Sequence, residues 1–174
     1  AQLYPTFGAE IPVSINGLSF DAMEPFLSND ENTLFFNSLN AGGNTNLHFA
    51  QRVDDSTFNY IGILSGTVDT SANHLDAVAS MDSTNRFYWV SLRNYPTIFE
   101  NLHSGFFNGT NVNDVKRVYG NFNIPALGWI IMDAAISYDG DLLYYVNAYF
   151  NSCPFGMPCD ALLGVAEKVD DTTF

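Results

Sequence analysis

The sequence predicts an all-β protein of the β-propeller class, with three four-stranded blades in one chain. Three observations predict this fold. One short pattern of acidic, Ser and Asp residues recurs three times along the chain. Each copy is followed by aromatic and β-branched segments that Asn-, Asp- and Gly-rich turns separate. No stretch shows the 3.6-residue apolar spacing of an amphipathic helix.

The recurring pattern has one frame: an acid, three residues, Ser, one residue, Asp, a short gap and an aromatic strand. The copies begin at Glu24, Asp76 and Asp133, at intervals of about 50–60 residues. The third copy contains Asp139-Gly140, a strong hairpin signal. Four strands per interval match a propeller blade, whose repeats usually run to ~40–45 residues and tolerate longer forms.

The strands follow from local patterns. Residues 11–20 open with alternating apolar and polar side chains, which is typical of a half-buried strand. The strands predicted in the first two copies are 25–27, 33–38, 46–52, 58–68, 77–80, 86–92, 101–107 and 115–121. The third copy has the hairpin 133–146 and a strand at 161–167. Its last residues, K-V-D-D-T-T-F, match R-V-D-D-S-T-F at 52–58, so the chain stops where a fourth strand is expected.

The chain is predicted to form one domain, residues 1–174, with blades at about 21–68, 76–121 and 133–174 plus 11–20. Three blades do not close a ring, because known propellers have about four to eight. The N-terminal strand would complete a third blade that lacks its fourth strand. We therefore expect a six-bladed homodimer closed by strand exchange. The alternative is an excised or engineered half of a longer six-bladed propeller.

The repeat resembles the TolB-type, WD-like propeller family, in which D-x-x-P-x-F-S-P-D-G precedes an apolar strand. The segments that carry the resemblance are E-P-F-L-S-N-D at 24–30 and I-S-Y-D-G at 136–140, with N-L-H at 46–48 and 101–103. The resemblance covers about 150 residues and implies the fold. It does not imply an activity, because this repeat serves many unrelated proteins.

The composition argues against several classes of binding partner. Six Lys and Arg against 19 Asp and Glu give a net charge of −13, which argues against nucleic acid and anionic membranes. No run of about 18 apolar residues is present, so no membrane span is predicted. Cys153 and Cys159 lie in a tight C-P-F-G-M-P-C loop and predict a disulfide; the alternative is two free thiols. A disulfide would place the protein in the periplasm or outside the cell.

The predicted site is the mouth of the central channel. Glu24, Asp76 and Asp133 precede the innermost strands, and two chains would place six carboxylates around one axis. Such a ring could bind Ca²⁺ or a cationic ligand, and His74 could add a nitrogen ligand. The alternative is that each acid caps its own loop. By contrast, the Ser and Asp residues of the frame are expected to satisfy turn backbone groups rather than to act in catalysis.

A second predicted feature is a set of loop aromatics, Trp129, Tyr95 and Tyr149, which could stack on a sugar or an aromatic ligand, or could simply pack on the blades. No catalytic motif is recognisable. The sequence therefore predicts a non-enzymatic binding or scaffold propeller for a small-molecule, sugar or protein ligand. The alternative is a carbohydrate-active hydrolase or lyase that uses acids at the channel mouth.

Overall fold

The computed structural model describes residues 8–39, 44–67 and 75–174. These residues form an all-β structure of curled sheets that together resemble half a barrel. Outside the strands, their only helical segment is a single 3₁₀ turn at Pro154–Gly156. Among the described residues, no helix has the length and apolar character needed to cross a bilayer.

Within the described residues, twelve strands make three sheets. The first sheet contains β1 (Ser14–Asn16), β2 (Met23–Leu27), β3 (Thr33–Asn37), β4 (Leu47–Arg52) and β5 (Thr57–Ile63). The second contains β6 (Asp76–Met81), β7 (Arg86–Ser91), β8 (Leu102–Phe107) and β9 (Val112–Arg117). The third contains β10 (Trp129–Ile136), β11 (Leu142–Tyr149) and β12 (Asp160–Glu167). Apart from β1, the neighbours in each sheet are antiparallel and follow chain order.

Several strand boundaries differ from the prediction. The strand predicted at 58–68 is β5, which ends at Ile63. The last strand of the second sheet is Val112–Arg117, whereas the sequence predicts 115–121. The sequence predicts that the hairpin of the third copy begins at residue 133, yet β10 begins at Trp129 because Trp129, Ile130 and Ile131 pair with the end of β11.

The N-terminal strand also differs from the prediction. Of residues 11–20, only Ser14–Asn16 is a strand, and it pairs in parallel with β5 at the outer edge of its own sheet. Residues 17–22 then cross to β2 at the opposite edge. During this crossing Phe20 packs 4.8 Å from the ring of His48 and 6.0 Å from that of Tyr60. In a single chain, the N-terminal segment therefore covers the outer face of the first sheet.

Two apolar layers hold the sheets together. Alternation along β3 and β7 sends one set of aromatic side chains to each face, as the period of a strand requires. The layer between the first and second sheets contains Phe35, Leu47, Phe49, Phe87 and Trp89. The layer between the second and third sheets contains Tyr88, Val90, Leu102, Ile131, Leu143 and Phe174. The first strands, β2, β6 and β10, lie side by side where the three sheets meet.

Candidate functional site

The first turn of each sheet sets the register of the innermost strands. In the first sheet, the Ser28 amide donates to the Thr33 carbonyl at 2.8 Å, and the Thr33 amide donates to Ser28 Oγ at 2.9 Å. Ser137 and Leu142 make the same two bonds in the third sheet, at 2.8 and 2.9 Å. In both turns the Ser hydroxyl also bonds the following Asp, as the frame predicts.

The second sheet fills this position with an aspartate. Asp82 exchanges the equivalent bonds with Arg86, both at 3.1 Å, across a turn that is one residue shorter. Asp82 is therefore the counterpart of Ser28 and Ser137. Ser80, which the sequence frame places there, instead accepts a hydrogen bond from the Ile136 amide at 2.9 Å and links the second sheet to the third.

This register changes which residues occupy the positions predicted to form a ring of acids. Counting back from the equivalent turn residues gives Glu24, Val78 and Asp133 as the equivalent positions on the innermost strands. Asp76 lies two residues before Val78. It is 1% exposed and its carboxylate pairs with the Arg93 guanidinium at 3.0 Å. Asp76 is thus a buried ion-pair partner rather than a residue of the channel mouth, and His74 lies outside the described residues.

Glu24, Val78 and Asp133 meet in one place. All three line a cleft of about 660 Å³ on the concave side of the second and third sheets, which we call the axial cleft. The same three residues line a neighbouring cleft of about 350 Å³. Apolar side chains make most of the axial cleft; they include Leu75, Ala77, Val90, Leu92, Leu127, Ile130, Met132, Phe150, Met157 and Pro158. Two carboxyl groups therefore stand at the junction of two largely apolar cavities.

The cleft raises the pKa of both acids. For Glu24, loss of solvation among its apolar neighbours raises the pKa most, and repulsion from Asp133 adds to it. A hydrogen bond with the Asn37 side chain offsets part of this rise. For Asp133, burial raises the pKa. Each group would therefore be stabilised by a cation that enters the cleft.

The three predicted aromatics separate in the structure. Tyr95 lines the axial cleft, and its hydroxyl accepts a hydrogen bond from the Gly128 amide at 2.5 Å. Trp129 and Tyr149 lie opposite each other on β10 and β11, with ring centroids 5.3 Å apart. Neither is among the described residues that line the axial cleft. They are half-buried and pack against each other, which leaves Tyr95 as the aromatic side chain of this set at the site.

The cysteine loop forms one wall of the cleft. Cys153 and Cys159 are joined by a disulfide, with Cα atoms 5.5 Å apart. The Cys159 amide donates to the Tyr149 carbonyl at 3.0 Å and ties the loop to the end of β11. Within this loop, Gly156, Met157 and Pro158 line the cleft. The disulfide thus constrains part of the cleft wall.

The predicted Ca²⁺ site fits the single chain poorly. No group of three or more His, Cys, Asp or Glu side chains within the described residues is placed to hold a metal ion. Two carboxylates against an apolar wall do not supply the roughly six to eight oxygen ligands that Ca²⁺ takes. The same two carboxylates suit an organic cation, which needs charge and apolar contact rather than a full oxygen shell.

Comparisons with family models, with curated proteins and with solved structures found no match for this chain.

Proposed function

We propose that this protein is a non-enzymatic binding module of the propeller type, and that its axial cleft takes an apolar ligand carrying a positive charge. The observation that supports this most is the position of Glu24 and Asp133 at the end of a cleft whose other walls are mainly apolar. A volume of about 660 Å³ lies within the usual range for small-molecule sites, about 300–1,000 Å³. The cation would neutralise the two acids while its apolar body contacts the walls.

The cleft can be tested with matched small probes. Hexyltrimethylammonium carries the charge and a short chain, and hexanol carries the chain alone. Isothermal titration at pH 7 is expected to show the cation binding about tenfold or more tightly than the alcohol. Glu24→Gln and Asp133→Asn should each remove most of this preference. Glu10→Gln, an exposed glutamate outside the cleft, is the matched control and should keep it. Equal affinities for the two probes would reject the proposal.

The second candidate is a carbohydrate-active enzyme. Two carboxyl groups in one open cleft favour it, because glycoside hydrolysis uses one protonated carboxylic acid and one ionised carboxylate. The walls favour binding instead, because sugar hydroxyls need polar partners and this cleft offers few besides Asn151 and Tyr95. Hydrolysis or elimination of a glycoside by the wild type, lost in both Glu24→Gln and Asp133→Asn, would make the enzyme the better account.

We propose further that the chain assembles as a homodimer closed by strand exchange. The first sheet has four antiparallel strands plus the parallel strand β1, whereas the third sheet has three strands. The turn before β5 recurs after β12: the Val53 amide donates to Thr57 O, and the Val169 amide to Thr173 O, each at 2.8 Å. The chain therefore has, after β12, the same turn that leads into β5 in the first sheet, but the third sheet has no strand in the place of β5.

Strand exchange would give the open edge of the third sheet a further strand and would cover the outer face of the first sheet. Residues 8–20 of one copy would leave β5 and pair with the open edge of β12 in the other copy. The outer face of the first sheet, which Phe20 covers in a single chain, would then meet the exposed face of the partner's third sheet. That face carries Tyr144, Leu163 and Val165, which are 48%, 81% and 56% exposed. The result would be a six-bladed ring built from two chains.

The compartment proposed for the protein is the periplasm or the extracellular space. The disulfide between Cys153 and Cys159 supports it, because such bonds persist in oxidising surroundings. Trapping of thiols in the source cells tests it: the proposal expects the two cysteines to be blocked before reduction, and freely alkylated cysteines would contradict it.

A further inference from the structure

A second cleft, of about 420 Å³, has the opposite character from the axial cleft. Its lining residues are Arg93, Asn94, His103, Val115, Lys116, Arg117, Tyr119 and Thr172. We call it the cationic cleft. Arg93, Lys116 and Arg117 are half of the six Lys and Arg in a chain with 19 acids, yet no carboxylate belongs to its described lining. Nearly every side chain there can donate a hydrogen bond.

The three cations differ in how far their charge is already neutralised. Arg93 pairs with Asp76 at 3.0 Å and also donates to Ser91 Oγ at 2.8 Å. Lys116 pairs with Asp114 at 2.8 Å, at an exposed position. Arg117 has no carboxylate within ion-pairing distance among the described residues; its Nε donates to the Tyr119 hydroxyl at 3.4 Å. The guanidinium of Arg117 therefore retains most of its capacity to bind an anion.

His103 supplies an independent indication of a ligand. It is 4% exposed and lines the cleft, and its Nδ1 makes no well-formed hydrogen bond, although the ring also interacts with the Asn101 backbone. His48 has the same place in the first sheet, opposite an aromatic residue of the neighbouring strand, and its Nδ1 lies 2.8 Å from the Tyr60 hydroxyl. The repeat thus gives one histidine a side-chain partner and leaves the other without one, in the lining of the cationic cleft. Buried polar atoms normally have partners, and a bound group would supply one here.

The charge of His103 is consistent with this role. Burial, followed by the nearby Arg93, lowers its pKa to about 4. The ring is then neutral at pH 7, and one tautomer presents an N–H donor at Nδ1. A neutral donor beside fixed cations binds an oxyanion without adding to the repulsion among those cations.

We propose that the cationic cleft is a binding site for a small oxyanion, a phosphate or a carboxylate group, held by Arg117, Lys116 and His103. The planar fork of Arg117 matches two oxygens of either group, and Lys116 supplies a point charge. Asn94, Tyr119 and Thr172 provide further donors around it. This site is separate from the axial cleft and does not depend on the function proposed for that cleft.

The test is a titration of the folded protein with inorganic phosphate and, separately, with acetate, followed by amide and imidazole NMR shifts at constant ionic strength. We expect saturable shifts at His103 and at residues 115–117, and the tighter of the two anions identifies a tetrahedral or a planar ligand. Arg117→Gln should weaken binding about tenfold. Arg52→Gln is the matched control, because Arg52 pairs with Glu31 and Asp55 on the first sheet.

Two results would overturn the proposal. One is the absence of saturation with either anion, with shifts that grow evenly over the whole surface. The other is an equal loss of affinity in Arg52→Gln and Arg117→Gln, which would mean unspecific attraction to positive charge. His103→Gln provides a second readout: if the variant remains folded by circular dichroism and binds phosphate like the wild type, His103 is not part of the site.

Discussion

Glu24 and Asp133 occupy equivalent positions on the first strands of the first and third sheets, and they repel each other within the axial cleft. The equivalent position of the intervening sheet holds Val78, which also lines the cleft. The repeat therefore places three side chains at one junction, two acidic and one apolar. This combination of charge and apolar contact defines the ligand class that we propose.

The first prediction concerns pH and the binding of hexyltrimethylammonium. A cation needs ionised partners, and the pKa values of Glu24 and Asp133 are both raised. Affinity should therefore be full at neutral pH and should be lost as pH falls through these raised pKa values. Isothermal titration between pH 4 and 8 measures this. An affinity that does not weaken as the pH falls would contradict it.

The second prediction separates stability from binding at the same residue. A raised pKa means that the folded state binds the proton more tightly than the unfolded state, so ionisation of Glu24 lowers stability as pH rises through that window. Glu24→Gln removes this effect. Its thermal midpoint at pH 7 should equal or slightly exceed that of the wild type, and the two should converge at low pH. A clear loss of stability at pH 7 would show that Glu24 has a structural role.

The third prediction concerns the buried ion pair. Asp76→Asn leaves the Arg93 guanidinium without its carboxylate inside the protein, and such a change typically costs about 3–5 kcal/mol. Asp114→Asn is the comparison. The Asp114 and Lys116 side chains are 55% and 46% exposed and pair at 2.8 Å, so we expect a loss below about 1 kcal/mol. Urea unfolding measures both, and similar losses would contradict the distinction.

The fourth prediction links the disulfide to the axial cleft. Replacing both Cys153 and Cys159 by Ser opens a short loop and should lower stability by about 2 kcal/mol. Because Met157 and Pro158 line the cleft, the same variant should also bind hexyltrimethylammonium more weakly. Reduction of the wild type should reproduce both effects. Unchanged affinity in a destabilised variant would mean that the loop does not shape the site.

The fifth prediction concerns assembly. Light scattering should give a mass of about 38 kDa, twice the 19.2 kDa of one chain, across a range of concentrations. Val165→Lys, on the exposed face of the third sheet, should shift the mass to the monomer. Val53→Lys is the matched control: both valines are 56% exposed, but Val53 lies in a turn away from that face. A monomeric wild type would contradict the dimer.

Much of the fold follows from the sequence, because strand alternation and turn residues act locally. The match between residues 52–58 and 168–174 is reproduced bond for bond. The Ser56 amide donates to Asp54 at 2.9 Å, and the Thr172 amide donates to Asp170 at 2.8 Å. Boundaries were harder to predict where aromatic residues such as Trp129 extend a strand by pairing with a distant partner.

The site was predicted only in part, for a specific reason. The sequence frame aligns Ser80 with Ser28 and therefore Asp76 with Glu24. In the structure an aspartate, Asp82, performs the bonding of that serine in a shorter turn. Asp and Ser side chains make equivalent hydrogen bonds in such turns, so the sequence alone does not show that Asp82, two residues after Ser80, is the counterpart of Ser28. Comparing turn lengths across the repeat is the signal that would have found Val78.

The cationic cleft could not be predicted, because its members are far apart in the chain. Arg93, Arg117 and Thr172 come from different loops and strands. Pairing within the second sheet brings Arg93 and Arg117 together, and Thr172 joins them from the end of the chain. The sequence does show that His48 and His103 are equivalent. It does not show that only one of them finds a side-chain partner, since that depends on what faces each ring.

The most direct test of the central claim is an NMR titration of the Glu24 and Asp133 carboxyl carbons, with and without hexyltrimethylammonium, using Glu10 as the exposed reference. The account predicts that, in the free protein, the pKa of each cleft acid lies above that of an exposed residue of the same type. It also predicts that the ligand lowers both pKa values. Ordinary pKa values in the free protein, or no response to the ligand, would contradict the proposed site.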